Sequence, residues 1–292
     1  APEPATEEKE KGAQEALAEA TAKQGKAQKE LEPLFPDEEP AVVLRQAGTY
    51  VWGRGGDGQL GIGETTSMQT PTRVEYLSQH AIVCLACGGR HTAAVTDAGD
   101  VYTWGWNSSG QLGHGDLVDH VQPAVVKGLA LVKGLQHARF VQVAAGNDHT
   151  VALTDSGALY ACGDGSMGQL GTGTRTHQLT PTLVLPLHGQ RVAKVACGSG
   201  HTCCVTTTGH VFAWGKSANG RLGLGTVAAE VVDTPQRVKA LSRVRVDDVV
   251  CGWSHTMCRT VDGTVYSWGK GQDGQLGHGT TADEYEPRRI NF

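Results

Sequence analysis

Tyr50-Val51-Trp52-Gly53-Arg54-Gly55-Gly56-Asp57-Gly58-Gln59-Leu60-Gly61-Ile62-Gly63 is the first of five copies of one pattern. The others are YTWGWNSSGQLGHG ending at Gly115, YACGDGSMGQLGTG at Gly173, FAWGKSANGRLGLG at Gly225 and YSWGKGQDGQLGHG at Gly279. The glycine closing each aromatic run recurs as Gly53, Gly105, Gly163, Gly215 and Gly269, at spacings of 52, 58, 52 and 54 residues. A period of that length marks a solenoid, an array or a propeller. Each copy begins as a strand and breaks at glycine. The Gln-Leu or Arg-Leu pair between glycines predicts a tight loop anchored by a single leucine. The glycine before it, at Gly58, Gly110, Gly168, Gly220 and Gly274, is expected to hold a backbone angle that other residues adopt only at a cost.

A second cassette alternates with the first: Cys87-Gly88-Gly89-Arg90-His91-Thr92, Ala145-Gly146-Asn147-Asp148-His149-Thr150, Cys197-Gly198-Ser199-Gly200-His201-Thr202 and Cys251-Gly252-Trp253-Ser254-His255-Thr256. Together the two cassettes resemble the repeats of the regulator of chromosome condensation family, across residues 41–292. The resemblance implies an all-β chain, a β-propeller of four-stranded blades, usually seven in that family. About five repeats are present here.

Four blades read as complete: Pro71 to Trp104, Pro123 to Cys162, Pro181 to Trp214 and Pro235 to Trp268. Residues 41–53 and Pro287 to Phe292 supply the pieces of a fifth. If those ends meet in one composite blade, the ring closes at about 72° per blade. The unmodified cassettes favour the family angle of about 51°, at which five blades form an open arc with apolar faces at both ends, completed by a partner or by missing chain. The second repeat is longer than its neighbours within Val125 to Leu135, which predicts a longer loop or a one-turn helix there.

Residues 1–40 differ in composition. They hold eleven acidic and five basic side chains, so the chain's net charge of −5 leaves the repeats near +1. Glu7 to Leu31 is rich in Ala, Glu, Lys and Gln, which favours helix, but with only Leu17 of any size before Glu30 it cannot bury a continuous stripe. A helical or disordered tail is expected, released first by protease, or a docking helix anchored by Leu31, Leu34 and Phe35. The start at Ala1 suggests processing of an initiator methionine or of a longer targeting peptide. No secretory signal is visible, and no apolar run is long enough to span a membrane. Without a clustered basic surface, bulk charge gives no indication of nucleic acid as a partner.

The eight cysteines fall largely into repeat slots. Cys87, Cys197 and Cys251 align with Ala145; Cys204 and Cys258 align with Ala94 and Ala152; Cys162 replaces a blade tryptophan. They read as small buried residues, with Cys84 facing out and Cys87 facing in. No second C-x-x-C accompanies Cys84 to Cys87, so no zinc site is expected. Disulfides are not expected in these slots, which fits a reducing intracellular compartment, mitochondrial or cytoplasmic and cytoskeletal.

Gly56 to Gly61 and Gly269 to Gly274 satisfy G-x-G-x-x-G, but each leads into another strand instead of the helix that a dinucleotide site needs. His91, His149, His201 and His255 stand one per blade and are expected to bond within or between blades. No nucleophile elbow, paired carboxylate or phosphate loop occurs. No enzyme activity, catalytic residue, cofactor or metal is therefore expected.

Three roles known in the family remain. Ultraviolet sensing uses tryptophan clusters in Gly-Trp-Arg-His-Thr pentads, and the one related pentad, Gly252 to Thr256, lacks the arginine. Guanine-nucleotide exchange on a small GTPase resembles a propeller face with a protruding wedge, for which the extra residues after Pro123 are few. A protein-interaction scaffold or accessory subunit of a larger complex requires only surfaces, and is the expected role, with exchange as the alternative.

Overall fold

Short β-branched and aromatic runs broken by glycine form eighteen strands in the computed structural model, which describes residues 48–127, 139–187, 189–226 and 229–291. Gly48–Phe292 forms one compact unit. The expected tail of residues 1–40, the first part of the 41–53 hairpin and most of the long segment after Val125 lie outside the described residues.

β1 (Tyr50–Gly53) and β2 (Met68–Arg73) pair as a two-stranded sheet. Four antiparallel sheets of four strands follow, each in chain order. The first is β3 (Ile82–Cys87), β4 (His91–Thr96), β5 (Val101–Gly105) and β6 (His120–Val125). The second is β7 (Phe140–Ala145), β8 (His149–Thr154), β9 (Leu159–Gly163) and β10 (Gln178–Leu183). The third is β11 (Val192–Cys197), β12 (His201–Thr206), β13 (Val211–Lys216) and β14 (Val231–Arg237), and the fourth is β15 (Val246–Cys251), β16 (His255–Thr260), β17 (Val265–Gly269) and β18 (Glu284–Arg289). These are propeller blades. Their first strands, β3, β7, β11 and β15, together line a channel of about 720 Å³. The second strands β4, β8 and β12 are buried along their whole length, sandwiched between neighbouring blades.

The expected blade boundaries are shifted by one strand. The proline-bearing segments do not open the blade that follows them but close the one before. Pro71 lies in β2, Pro123 in β6, Pro181 in β10, Pro235 in β14 and Pro287 in β18. Proline has no N–H to give to a ladder, so it belongs on an edge strand. The fifth blade is therefore not split between the ends: β18 pairs with β17 through Tyr266↔Arg289 and Ser267↔Arg288, and completes the last blade from contiguous chain.

The core lies between blades. Leu153, Leu170, Val195 and Trp214 share one buried cluster, and Cys203, Val205, Leu222 and Trp268 another. The first four Gly-Gln-Leu-Gly or Gly-Arg-Leu-Gly loops seat on the next blade, and this close approach demands glycine. Gly58, Gly110, Gly168, Gly220 and Gly274 have φ between +71° and +80°, where a Cβ is strained. At Gly168 a Cβ would also stand 2.7 Å from the Asp233 Cα of the next blade.

Candidate interaction face and the blade relay

The segments between the first and second strands of each blade gather at one end of the channel. They form a mouth of about 220 Å³ lined by Gly88, Gly89, Gly146, Asn147, Ser199 and Trp253 among others. Backbone bonds tie these loops blade to blade. The Gly89 N–H donates to the carbonyls of Gly146 and Asn147, Asn147 to Ser199, and Ser199 to Trp253, at 3.0 to 3.2 Å.

Beneath the mouth runs a side-chain relay. The hydroxyls of Thr92, Thr150, Thr202 and Thr256 donate to the backbone carbonyls of Gln59, Gln111, Gln169 and Arg221 in the preceding blade, at 2.7 to 2.8 Å. With that single proton committed, the oxygens of Thr150, Thr202 and Thr256 are left to accept from a histidine. His91 Nε2 meets Thr150 at 2.8 Å, and His149 meets Thr202 and His201 meets Thr256 at 3.0 Å. The proton therefore sits on Nε2, and the buried Nδ1 of His91, His149 and His201 has no hydrogen-bond partner. Burial pushes His91 and His201 down to about 3 and His149 to about 4, so all three are neutral. Adjacent glycine makes room for the rings: a Cβ on Gly88, Gly146 or Gly198 would meet the imidazole at 2.1 to 2.3 Å. The expected bonding between blades is what the geometry contains for His91, His149 and His201, while the half-buried His255 makes none among the described residues, and the four do not converge on one site.

Tryptophan Nε1 joins the same carbonyls, Trp104 on Gln59 and Trp214 on Gln169, both at 2.9 Å. Cys162, in the tryptophan slot, points its thiol at Gln111 O at 3.6 Å. Cys204 and Cys258 are also buried, as expected, and so is Cys203; Cys197 and Cys251, expected to be buried, are half-buried because they end first strands at the open mouth, and Cys84 and Cys87 are reversed. Cys84 is half-buried with its thiol toward Val143 O of the next blade at 3.6 Å, and Cys87 is exposed. The first strand of a blade packs its inner alternation against the neighbouring blade, and Cys87 ends that strand at the open mouth. The two G-x-G-x-x-G matches lie in turns that lead to β2 and β18.

Around the mouth stand groups suited to gripping another protein. Trp253 is 66% exposed. The exposed Arg90 guanidinium lies over the half-buried Trp106 ring at 5.6 Å, a cation–π contact. Lys216 and Lys270 leave their strands at the same end, since their N–H groups bond to the mouth residues Gly200 and Ser254. Trp106 is the one tryptophan outside both the blade slots and the Gly252–Thr256 pentad. The available signal was its position just past the strand-ending Gly105, where an aromatic has no neighbouring blade to bury it.

Residues 41–292 match the RCC1-like domain. The chain is 38% identical over 240 residues to the ultraviolet-B receptor UVR8 of Arabidopsis thaliana, covering 82% of this chain and 53% of the receptor. It is 39% identical over 243 residues to the human E3 ubiquitin-protein ligase HERC2, covering 82% of this chain and 5% of the ligase. It thus spans about half of the one relative and a small part of the other. Among solved structures it superposes on human WBSCR16 with a TM-score of 0.73 at 28% identity, over 84% of this chain and 63% of that one. Prp20p of Saccharomyces cerevisiae, described with its binding to Gsp1p and histones, superposes with a TM-score of 0.71 at 26% identity, over 83% and 59%.

Proposed function

The chain belongs to the RCC1-like domain family, and from that premise we propose that it is a non-enzymatic protein-interaction scaffold, an accessory subunit of a larger intracellular assembly. The observation that carries this reading is the channel mouth. Trp253 and the Arg90–Trp106 pair project from loops that are bonded to one another through their backbones. Aromatic and arginine anchors dominate binding energy at protein interfaces, and loops fixed on a rigid frame lose little entropy on docking. The eight free cysteines accord with a reducing compartment. No helix of the described residues is long and apolar enough to cross a membrane.

A photo-cross-linking residue at position 253 tests this against one at Tyr285, which is exposed on the outer strand β18. Partner adducts are expected from the mouth position, and Trp253→Ala should lose the partner at an unchanged denaturation midpoint. Equal adducts from both positions would refute the assignment of the mouth.

The second reading is exchange of guanine nucleotide on a small GTPase, favoured by the likeness to Prp20p. Among the described residues sixteen strands belong to the four-stranded blades, and β1 and β2 carry the same motif and edge proline as the last two strands of a blade, so none stands out as a wedge. Accelerated nucleotide release from a small GTPase by stoichiometric protein would establish this reading.

A further inference from the structure

The repeat makes clear which residues the fold needs at each blade interface, so what departs from it requires another reason. At the interface between the first two four-stranded blades the slots around the relay are His91, Ala93 and Ala145. At the next they are His149, Val151 and Cys197. Alanine and valine thus suffice for packing. At the interface of the last two blades the same slots hold His201, Cys203 and Cys251, whose ligand atoms all lie within 4.8 Å of one another. The loop residue against this interface is also changed. Gln59, Gln111 and Gln169 give way to Arg221, which is buried. Its guanidinium acts electrostatically on His201.

We propose that His201, Cys203 and Cys251 form a binding site for one Cu(I) ion. Two thiolates and an imidazole are soft donors that select Cu(I) or zinc over hard cations. Three donors suit the low coordination number of Cu(I), whereas structural zinc is almost always four-coordinate. Buried charges must be paired, and a bound cation supplies that pairing for the two thiolates.

On binding, the two S–H bonds break, their protons leave to solvent, and two Cu–S bonds form with no change in oxidation state. His201 offers its unpartnered Nδ1, or Nε2 if the bond to Thr256 is given up. Because both thiols must give up their protons on binding, uptake weakens as the pH falls. Entry is from the channel, because Cys251 lines both its wall and its mouth while Cys203 lies fully buried behind.

Reduced protein would be loaded with Cu(I) alone and challenged with a water-soluble Cu(I) chelator. Wild type should retain one copper per chain, with an X-ray absorption spectrum of two sulfur ligands and one nitrogen. Cys203→Ala and Cys251→Ala install the residues that Ala93 and Ala145 provide in the same slots, so they should fold with an unchanged near-ultraviolet circular dichroism spectrum. Their copper retention should fall by about tenfold or more. Cys87→Ser and Cys162→Ala should retain copper as wild type does. Retention undiminished in Cys203→Ala/Cys251→Ala, loss with Cys87→Ser alone, displacement by equimolar Zn(II), or only a Cys203–Cys251 disulfide without bound metal would each overturn the proposal.

Discussion

Trp52 and Trp104 occupy the same place in the same motif, yet Trp52 is 62% exposed and Trp104 is 0% exposed. Neither the residue nor its strand differs. Trp104 lies beneath the Gln59–Gly61 loop of the preceding blade and donates to the Gln59 carbonyl. For Trp52 no such loop exists among the described residues. The opposite face of the row shows the complement. A Cβ on Gly58, Gly110, Gly168 or Gly220 would meet backbone of the next blade, whereas one on Gly274 meets nothing within 4 Å. His255 is half-buried where His91, His149 and His201 are buried and bonded to the following threonine. The motif is one half of a contact, and its energy is realised only between two blades.

The contrast is broken most forcefully at the tryptophans. Trp104→Ala should cost about 3–5 kcal/mol, as buried aromatic truncations do, and Trp52→Ala under about 0.5, as exposed changes do. Equilibrium denaturation of both variants checks it, and equal costs would mean that Trp52 is covered in solution. The loop glycines come next. Gly274→Val incurs backbone strain alone, about 1–3 kcal/mol. Gly168→Val adds overlap with Asp233, about 1–3 kcal/mol more, readable as the difference between the two midpoints.

Acid sharpens the comparison further. His91, His149 and His201 titrate near 6.5 when unfolded and at about 3 to 4 when folded. The unfolded chain therefore takes up protons first as the pH drops. Their contribution to stability is complete above pH 6.5 and is lost progressively as pH falls toward 3 to 4, by up to about 1.4 kcal/mol per histidine per pH unit. His201→Gln should reduce the slope of stability against pH between 6 and 4.5, and the half-buried His255→Gln should reduce it less. The smallest contrast lies in the threonines. Thr150→Val strands the buried His91 Nε2 and should cost about 1–3 kcal/mol, while Thr92→Val, with no preceding histidine among the described residues, should cost about 0.5–1.5.

The sequence shows the repeat plainly, because glycine punctuation, the His-Thr pairs and the Gln-Leu loops recur in register, and the propeller comes from the family resemblance that those cassettes carry. The strained glycines and the inter-blade role of the histidines follow from that recurrence. Blade phasing was legible too, but only through proline chemistry. Counting strands from one motif to the next leaves the boundary arbitrary, while Pro71 and its equivalents belong on an edge. The orientation of Cys84 and Cys87 was not legible, since a first strand whose neighbours are other blades has no polar alternation to mark its faces. Nor could spacing reveal His201, Cys203 and Cys251 as a group. They come from the first strand of one blade and the second strand of another, some fifty residues apart, and only packing brings them together.

The pairing of β18 with β17 has a consequence for how the molecule comes apart. In a ring whose last blade borrows a strand from the other terminus, the ends are clasped and no blade can open alone. Here each four-stranded blade is a contiguous stretch of chain, so among the described residues no shared sheet ties the last blade to the first hairpin. The array then behaves as a one-dimensional stack in which every unit is held by its immediate neighbours. Among the described residues the β15–β18 blade meets a neighbour on one side and an inner blade on two, so local opening is graded by position. Amides of β16 and β17 would exchange with solvent before those of β8 and β9, whose sequence pattern is nearly the same.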